Sequence, residues 1–448
     1  MKVLKFGGTS VGSTEMIKKT AEIIINSKKN DDVVIVVSAM TKVTNSLFDI
    51  CDNVGIGNMD NVLAMFQILK EKHLNVAKDL SLDGNYEENS YFLKLNQELI
   101  NLEDILKGAT ILKNLTDNSK AKILYYGEIL SSILVSFAIN NLGVKSNNYL
   151  SKNLIICEGS YMNSECDFIK SEDLMGKWIE KINLSKEIPV ITGFGGGDDE
   201  GDVYLFDRGG SDYVGSLVGR FLKANSIEIW TDVDGIMSAD PRTVKNPILW
   251  DELDYAVCAE FALVGAKVLH PKTISPAQEK FIPVYIKNTF NPTAKGTKIC
   301  KKIDKGLKGI NIDSDQVLLN FIDPTMIGGY GYVYHVVKIL YDEKISIDAI
   351  ATTETSFSIS IKSKSFSKEL SEKFFGLHEH FQINIYENVT KISFVGDTIN
   401  DYTALSYIED EIIMVTGGAY GKSLTAFVKT DDAKGLLVKL HDKVFSKK

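Results

Sequence analysis

The stretch Lys5-Phe6-Gly7-Gly8-Thr9-Ser10-Val11-Gly12 follows directly on the apolar pair Val3-Leu4 and precedes a helical pattern that begins near Thr14. A short apolar strand that gives way to a helix through glycines is a βα unit. Its turn aims backbone N–H groups and a helix N-terminus at one point. Glycines leave those groups unobstructed and Lys5 adds a full positive charge, so the turn can hold an anion such as a phosphate. The pattern G-x-x-x-x-G-K-[ST] does not occur, so this is not a Walker loop. Taken alone, the turn reads equally as an ordinary tight βα connection.

Outward from it, apolar runs at residues 3–6, 33–38, 189–194, 226–232 and 282–288 have few polar interruptions, as strands covered on both faces do. Residues 59–80, 88–106 and 119–141 place apolar side chains at three- and four-residue spacing, which predicts a helical layer. The alternation predicts an α/β fold, a largely parallel sheet sandwiched by helices, over residues 1–300. Residues 291–309 change character, with Pro292, Gly296, Gly306 and Gly309 among lysines, and the domain boundary is placed there. Beyond it a weak repeat reads βαββα twice. The first copy is strand 317–322, helix 334–342, strands 346–351 and 356–362, and helix 368–376. The second is strand 391–395, a short helix at 404–409, strands 412–416 and 424–429, and a terminal helix 433–445.

At 448 residues the chain is too long for one ordinary core. No apolar run approaches the ~20 residues that span a bilayer, and the strand at Val3 leaves no room for a signal peptide, so a cytoplasmic protein without a membrane partner is expected. Cys51, Cys157, Cys166, Cys258 and Cys300 are scattered without a C-x-x-C pair, which indicates neither a zinc site nor a disulfide framework. A net charge of −9 and the lack of a basic, aromatic-interleaved stretch argue against nucleic acid.

Two further segments carry chemistry. In Asp207-Arg208-Gly209-Gly210-Ser211-Asp212 a strand again meets a helix through glycines. An arginine there can grip a carboxylate in a bidentate fork and Asp212 can orient a lysine, although a structural Arg-Asp pair fits as well. Trp230-Thr231-Asp232-Val233-Asp234-Gly235-Ile236-Met237 runs into Ser238-Ala239-Asp240-Pro241-Arg242. Its polar groups cluster at a strand's C-terminal end, where open α/β sheets bind ligands, or form a solvated loop.

Together with VSAMTKVTNSL at 37–47, YGEILSS at 126–132 and VGAKVLHP at 264–271, these motifs resemble the aspartokinases of the amino acid kinase family. The resemblance implies ATP-dependent phosphorylation of the β-carboxylate of L-aspartate to 4-phospho-L-aspartate, the first and feedback-inhibited step towards lysine, threonine and methionine. It assigns Lys5, with Gly7 and Gly8 as N–H donors, to the γ-phosphoryl group, and Asp212 to holding Lys5 and substrate in register. It assigns Arg208 to the α-carboxylate of aspartate, Glu128 to its ammonium, and Ser38 and Thr44 to its β-carboxylate. Thr231, Asp232, Met237, Arg242 and Lys267 resemble nucleotide contacts. A β-carboxylate of pKa ~4 is already ionised at neutral pH, so no general base is required. Positioning, cation clamps and Mg2+ carried with ATP remain, and no metal site of the protein's own is assigned. Rivals are an amino acid kinase with another acid substrate and a catalytically weak sensor. The stretches Gly195-Gly196-Gly197-Asp198-Asp199 and Val203-Tyr204-Leu205-Phe206-Asp207, with Met237 where a tyrosine is frequent, depart from the common family pattern.

The C-terminal repeats resemble ACT modules, the first spanning 317–387 and the second, discontinuous, 305–316 with 388–448. Met326, Gly329, Gly331, Tyr332 and Val333, with Ser346, Ile347, Asp348, Thr352, Thr353 and Glu354, resemble the effector site of lysine-sensitive aspartokinases. Lysine is the implied inhibitor and a homodimer or dimer of dimers the implied assembly. A purely structural dimer module remains the alternative. No dehydrogenase motif follows, so the reading is monofunctional.

Overall fold

Val3, Leu4 and Phe6 have no solvent exposure because their strand, Lys2–Phe6, is flanked in parallel by Val33–Val37 on one side and Ser226–Thr231 on the other. The structure is a computed structural model. It describes all residues except 82–85, 208, 266–268, 270, 303–304, 378–380, 398–401, 418–420 and 446–448, and the side chains of Tyr86 and Tyr402. The chain divides into two compact units, one of residues 1–236, 250–255 and 268–301, the other of 237–249, 256–267 and 302–448.

The first unit is built on an eight-stranded sheet in the order Glu252–Asp254, Thr297–Cys300, Val284–Asn288, Ser226–Thr231, Lys2–Phe6, Val33–Val37, Glu187–Thr192, Lys145–Tyr149. All pairings are parallel except that between Val284–Asn288 and Thr297–Cys300. The five apolar runs are the inner strands. The three strands that the apolar pattern does not predict lie at or next to the edges, where Lys145-Ser146-Asn147-Asn148-Tyr149 needs no continuous apolar run.

Helices pack on this sheet around one large core that reaches from Leu4 and Val33 to Leu130 and Val190. Several starts are written in the sequence: Ser13, Thr116 and Asp167 each accept a hydrogen bond from a first-turn N–H of the helix that follows. The helix predicted at 88–106 runs instead over Ser90–Leu112. Lys107-Gly108 interrupts the apolar spacing without ending the helix, because a glycine facing open space costs only ~1 kcal/mol. Asp117–Asn141 is long and apolar enough to cross a membrane by composition, contrary to the reading that no run approaches that length. Of its most apolar stretch 89% is buried in the protein, so it is the central core helix.

The second unit carries a six-stranded sheet in the order Ala349–Thr352, Ser356–Lys362, Leu307–Ile322, Gln382–Gly396, Ser423–Lys429, Ile412–Gly417. The predicted repeats do not each own their first strand. Leu307–Ile322, of 16 residues, and Gln382–Gly396, of 15, run through both, with register shifts near Asp313 and Gln316 that bend the pair. Alternate positions bury separate clusters: Val317, Leu319 and Phe321 pack with Phe357 and Phe374, while Leu318 packs with Val389 and Phe427. The strand predicted at 346–351 is Ala349–Thr352, and the short helix at 404–409 is a 3-10 turn, Tyr402–Tyr407.

Candidate active site

Lys5 sits one residue before the end of its strand, level with Val36 and Ile229, and its ammonium lies 2.5 Å from Asp212 Oδ1. Asp212 reaches it from the first turn of the helix Gly210–Phe221. Gly209 enters that helix at φ 78°, a conformation that penalises any side chain, and a carboxylate in the first turn is favoured by the helix dipole. Gly215 lets the helix lie on the strand, since a Cβ there would stand 3.1 Å from Lys5 Cβ.

The glycine turn after Phe6 is a 3-10 turn, Gly8–Val11, and it corrects one expectation. Gly7 is not a free donor: its N–H is bound to the Trp230 carbonyl at 3.0 Å, tying the turn to the neighbouring strand. Gly8 faces the site, packed so closely that a Cβ would meet the Ala39 carbonyl at 3.1 Å, and Thr41 Oγ1 donates to the Gly8 carbonyl at 2.8 Å.

Glu128, in the middle of the core helix, is only 2% exposed. Its Oε1 accepts from the Ala39 N–H at 3.1 Å and from Ser211 Oγ at 3.4 Å, while Oε2 is buried without a hydrogen-bond partner. Burial drives the carboxyl pKa up, the Ala39 and Ser211 bonds pull it partly back, and it stands at about 7. A buried carboxylate oxygen without a donor is a place where a ligand's donor belongs.

These groups share one cavity of about 330 Å³, lined by Lys5, Gly8, Ser38, Thr44, Glu128 and Asp212 together with Thr41, Lys42, Asn45, Phe194 and Ser211. Ser38 is fixed through its backbone, its N–H donating to Phe6 and its carbonyl accepting from Ser131 Oγ. Thr44 stands in the first turn of Val43–Ile56, which the chain enters through Lys42 at φ 68°. Sequence reasoning missed Thr41, Lys42, Asn45 and Ser211. All four lie inside the quoted motifs, so the signal was present without a way to decide which side chains point inward.

Thr231 and Asp232 follow the strand next to Lys2–Phe6, at the same sheet edge, and bond to one another at 3.1 Å. Asp234 beside them accepts from Asn288 at 2.8 Å. Met237 and Arg242 belong to the second unit, where Met237 bridges to Leu249 and the exposed Arg242 is held by Asp240 at 2.6 Å. Arg208 and Lys267 lie outside the described residues. Among the described residues no group of three or more His, Cys, Asp or Glu is placed to hold a metal.

Of the residues assigned to the effector, Gly331 caps helix Tyr332–Asp342 at φ 86° and Tyr332 donates to the Thr325 carbonyl at 3.0 Å. Ser346, Ile347 and Asp348 precede the edge strand rather than forming it. Asp348 is already engaged, with Lys362 Nζ at 3.2 Å and Gln316 Nε2 at 2.8 Å.

Residues 1–288 match the amino acid kinase family. Aspartokinase 1 of Arabidopsis thaliana chloroplasts is 30% identical over 99% of this chain and 80% of its own. Escherichia coli aspartokinase III, solved with lysine and aspartate in its T-state, is 25% identical and superposes with a TM-score of 0.85 over 99% of both chains. The aspartate kinase of Clostridium acetobutylicum, 22% identical with a TM-score of 0.80 over 99% of this chain and all of its own, has the same fold. A glycine turn with its lysine, a buried glutamate in the same cavity, and likeness to these enzymes along the chain agree: the chain belongs to the amino acid kinase family and, within it, to the aspartokinases.

Proposed function

We propose that the protein transfers the γ-phosphoryl group of ATP to the β-carboxylate of L-aspartate, giving 4-phospho-L-aspartate. The observation that carries this reading is the partnerless buried Oε2 of Glu128 in the same cavity as the Lys5–Asp212 pair. An amino acid that brings its ammonium to Glu128 satisfies that oxygen and keeps the glutamate ionised. Its side-chain carboxylate then lies among Ser38, Thr44 and the first turn of Gly210–Phe221, and Arg208 is assigned to its α-carboxylate. Lys5, held by Asp212, neutralises the charge that builds up as an anionic acceptor approaches a polyanion. No base is needed, because the acceptor is already ionised.

Thr231 and Asp232, with Met237, Arg242 and Lys267, are assigned to the nucleotide. Mg2+ fits as an ion brought by the phosphates, which typically takes one or two protein carboxylates and keeps its waters, since Asp212, Asp232 and Asp234 are each engaged through Oδ1. Bound Mg2+ would supply charge neutralisation on the phosphates.

The second unit is read as two ACT-like modules that assemble copies of the chain and sense lysine. The E. coli relative solved with lysine supports that effector. Asp348 supports it chemically: it already holds one ammonium, that of Lys362, so an effector ammonium has a site to share or take over. Inhibition requires lysine to bind the less active arrangement more tightly.

The test is formation of hydroxylamine-trapped aspartyl phosphate from L-aspartate, ATP and Mg2+, with and without lysine. Hydroxamate that lysine suppresses supports both halves. Product insensitive to lysine removes the effector assignment, and no product removes the kinase reading.

A further inference from the structure

Residues 237–249 leave the first unit after Ile236 and return to it at Trp250, and between those points they are packed as part of the second unit. The neck of this excursion is closed: Trp250 N–H donates to the Ile236 carbonyl at 3.0 Å, and Ile236 N–H donates to Thr297 Oγ1 at 2.8 Å. The excursion follows immediately on Thr231–Asp234 and carries Met237 and Arg242. A chain fixed at both ends cannot change the path between them without moving those two side chains.

What fixes the path is Ser238. It has no exposure, and every polar group it owns is used. Its N–H donates to the Ile248 carbonyl at 2.9 Å, and its carbonyl accepts from the Ile310 N–H, in the long strand Leu307–Ile322, at 2.8 Å. Its hydroxyl oxygen accepts from the Ile248 N–H at 2.8 Å and stands 2.8 Å from Nε2 of His441. The hydroxyl keeps its proton and a second lone pair for the imidazole, so it donates to Nε2 in one tautomer and accepts from Nε2–H in the other. His441 is itself buried on the terminal helix Ala433–Phe445, its ring tilted 40° to that of Phe445, and burial pushes its pKa down, which favours a neutral imidazole. A second excursion, 256–267, is tied to the same unit by a similar buried bond, Ser423 Oγ donating to Glu260 Oε2 at 2.7 Å.

We propose that Ser238 and His441 are positioning residues that hold the 237–249 loop on the C-terminal unit and thereby set the affinity of the enzyme for its nucleotide. This rests on the assignment of the neighbouring segment to ATP. It makes the terminal helix, far along the chain from any catalytic motif, a determinant of the nucleotide KM.

The experiment compares His441→Leu, which keeps roughly the volume and removes the hydrogen-bonding group, with His441→Gln, whose amide can accept from or donate to the Ser238 hydroxyl. Losing one buried hydrogen bond shifts an affinity by roughly 2- to 10-fold, so His441→Leu is expected to raise the KM for MgATP by that factor with the KM for L-aspartate unchanged. His441→Gln is expected to return it. Ser238→Ala, an independent route should His441→Leu not fold, also removes the acceptor of the Ile248 N–H and is expected to act in the same direction and to be non-additive with His441→Leu. An unchanged nucleotide KM in the folded variants overturns the proposal. So does a parallel rise in both KM values with a lowered Tm that His441→Gln does not relieve, because the pair then only holds the fold. If the wild-type enzyme shows no turnover with aspartate, the kinase reading fails separately, and titration of ADP binding across the same variants still decides the role of the pair.

Discussion

The ammonium of Lys5 and the carboxylate of Asp212 meet at 2.5 Å, one from the end of a central strand and the other from the first turn of a helix, 207 positions later in the sequence. The contact is an ion pair rather than an aligned hydrogen bond, for Asp212 Oδ1 makes none. An ammonium held in this way is aimed into the cavity, where a phosphate can take its remaining donors. Lys5→Ala is therefore expected to lower kcat by at least ~10²-fold, as for other preorganised charge stabilisers, with a smaller change in the KM for aspartate. Asp212→Asn is expected to lower kcat less, because Lys5 remains. Steady-state kinetics on both variants check the order.

Glu128, assigned to the substrate ammonium, is expected to make the affinity for aspartate depend on pH. Its pKa in the free enzyme is raised to about 7, and only the ionised form suits a substrate ammonium. Below about pH 7 the kcat/KM for aspartate is expected to fall as the glutamate protonates, approaching tenfold per pH unit. Glu128→Gln should abolish that limb of the profile and weaken aspartate binding.

The same group contributes to the stability of the free protein with a definite sign. A carboxyl whose folded pKa lies above its unfolded value binds its proton more tightly when folded, so its stabilisation is full below the unfolded value of 4.5 and is lost as pH rises through about 7. Urea unfolding of ligand-free wild type and Glu128→Gln at pH 5 and pH 8 reads this term: the variant should gain on the wild type at the higher pH. Saturating aspartate should close the gap in the wild type only.

Gly127 precedes Glu128 and faces Ala39, whose N–H holds the glutamate. A Cβ at Gly127 would come within 2.8 Å of Ala39 Cβ. Gly127→Ala is expected to cost about 1–3 kcal/mol of stability as overpacking and to raise the KM for aspartate, because relief of the clash moves the donor of Glu128. Thermal unfolding and kinetics test the two effects together.

Asp348→Ala should raise the lysine concentration for half-inhibition at least ~10-fold, the loss of a charge-assisted bond. Titration of inhibition in the folded variant checks it, and unchanged inhibition moves the effector site elsewhere.

Much of the first unit was legible because its strands are buried on both faces. Val33-Val34-Ile35-Val36-Val37 has no exposure at all, and such a run has no other economical home than a central strand. The edge strand Lys145–Tyr149 was not legible, because a strand with one open side need not be apolar. Gly195-Gly196-Gly197 stood out only as a departure from the family pattern. The fold supplies its reason: the hairpin with Val203–Leu205 packs so tightly on residues 152–157 that a Cβ at Gly196 would lie 2.5 Å from the Cys157 sulfur.

The sequence by itself determined the family, the parallel sheet and the short list of chemical groups, because each depends on local patterns: apolar runs, glycine turns and the residues adjoining them. Tertiary structure alone decided how those groups are used. It placed the Gly7 N–H on Trp230 instead of on a phosphate, buried Glu128 with one oxygen unpaired, and drew 237–249 out of the kinase sheet onto His441. Each of these rests on contacts between residues distant in the chain, and burial, pKa and hydrogen-bond partners are fixed by those contacts rather than by neighbours in sequence.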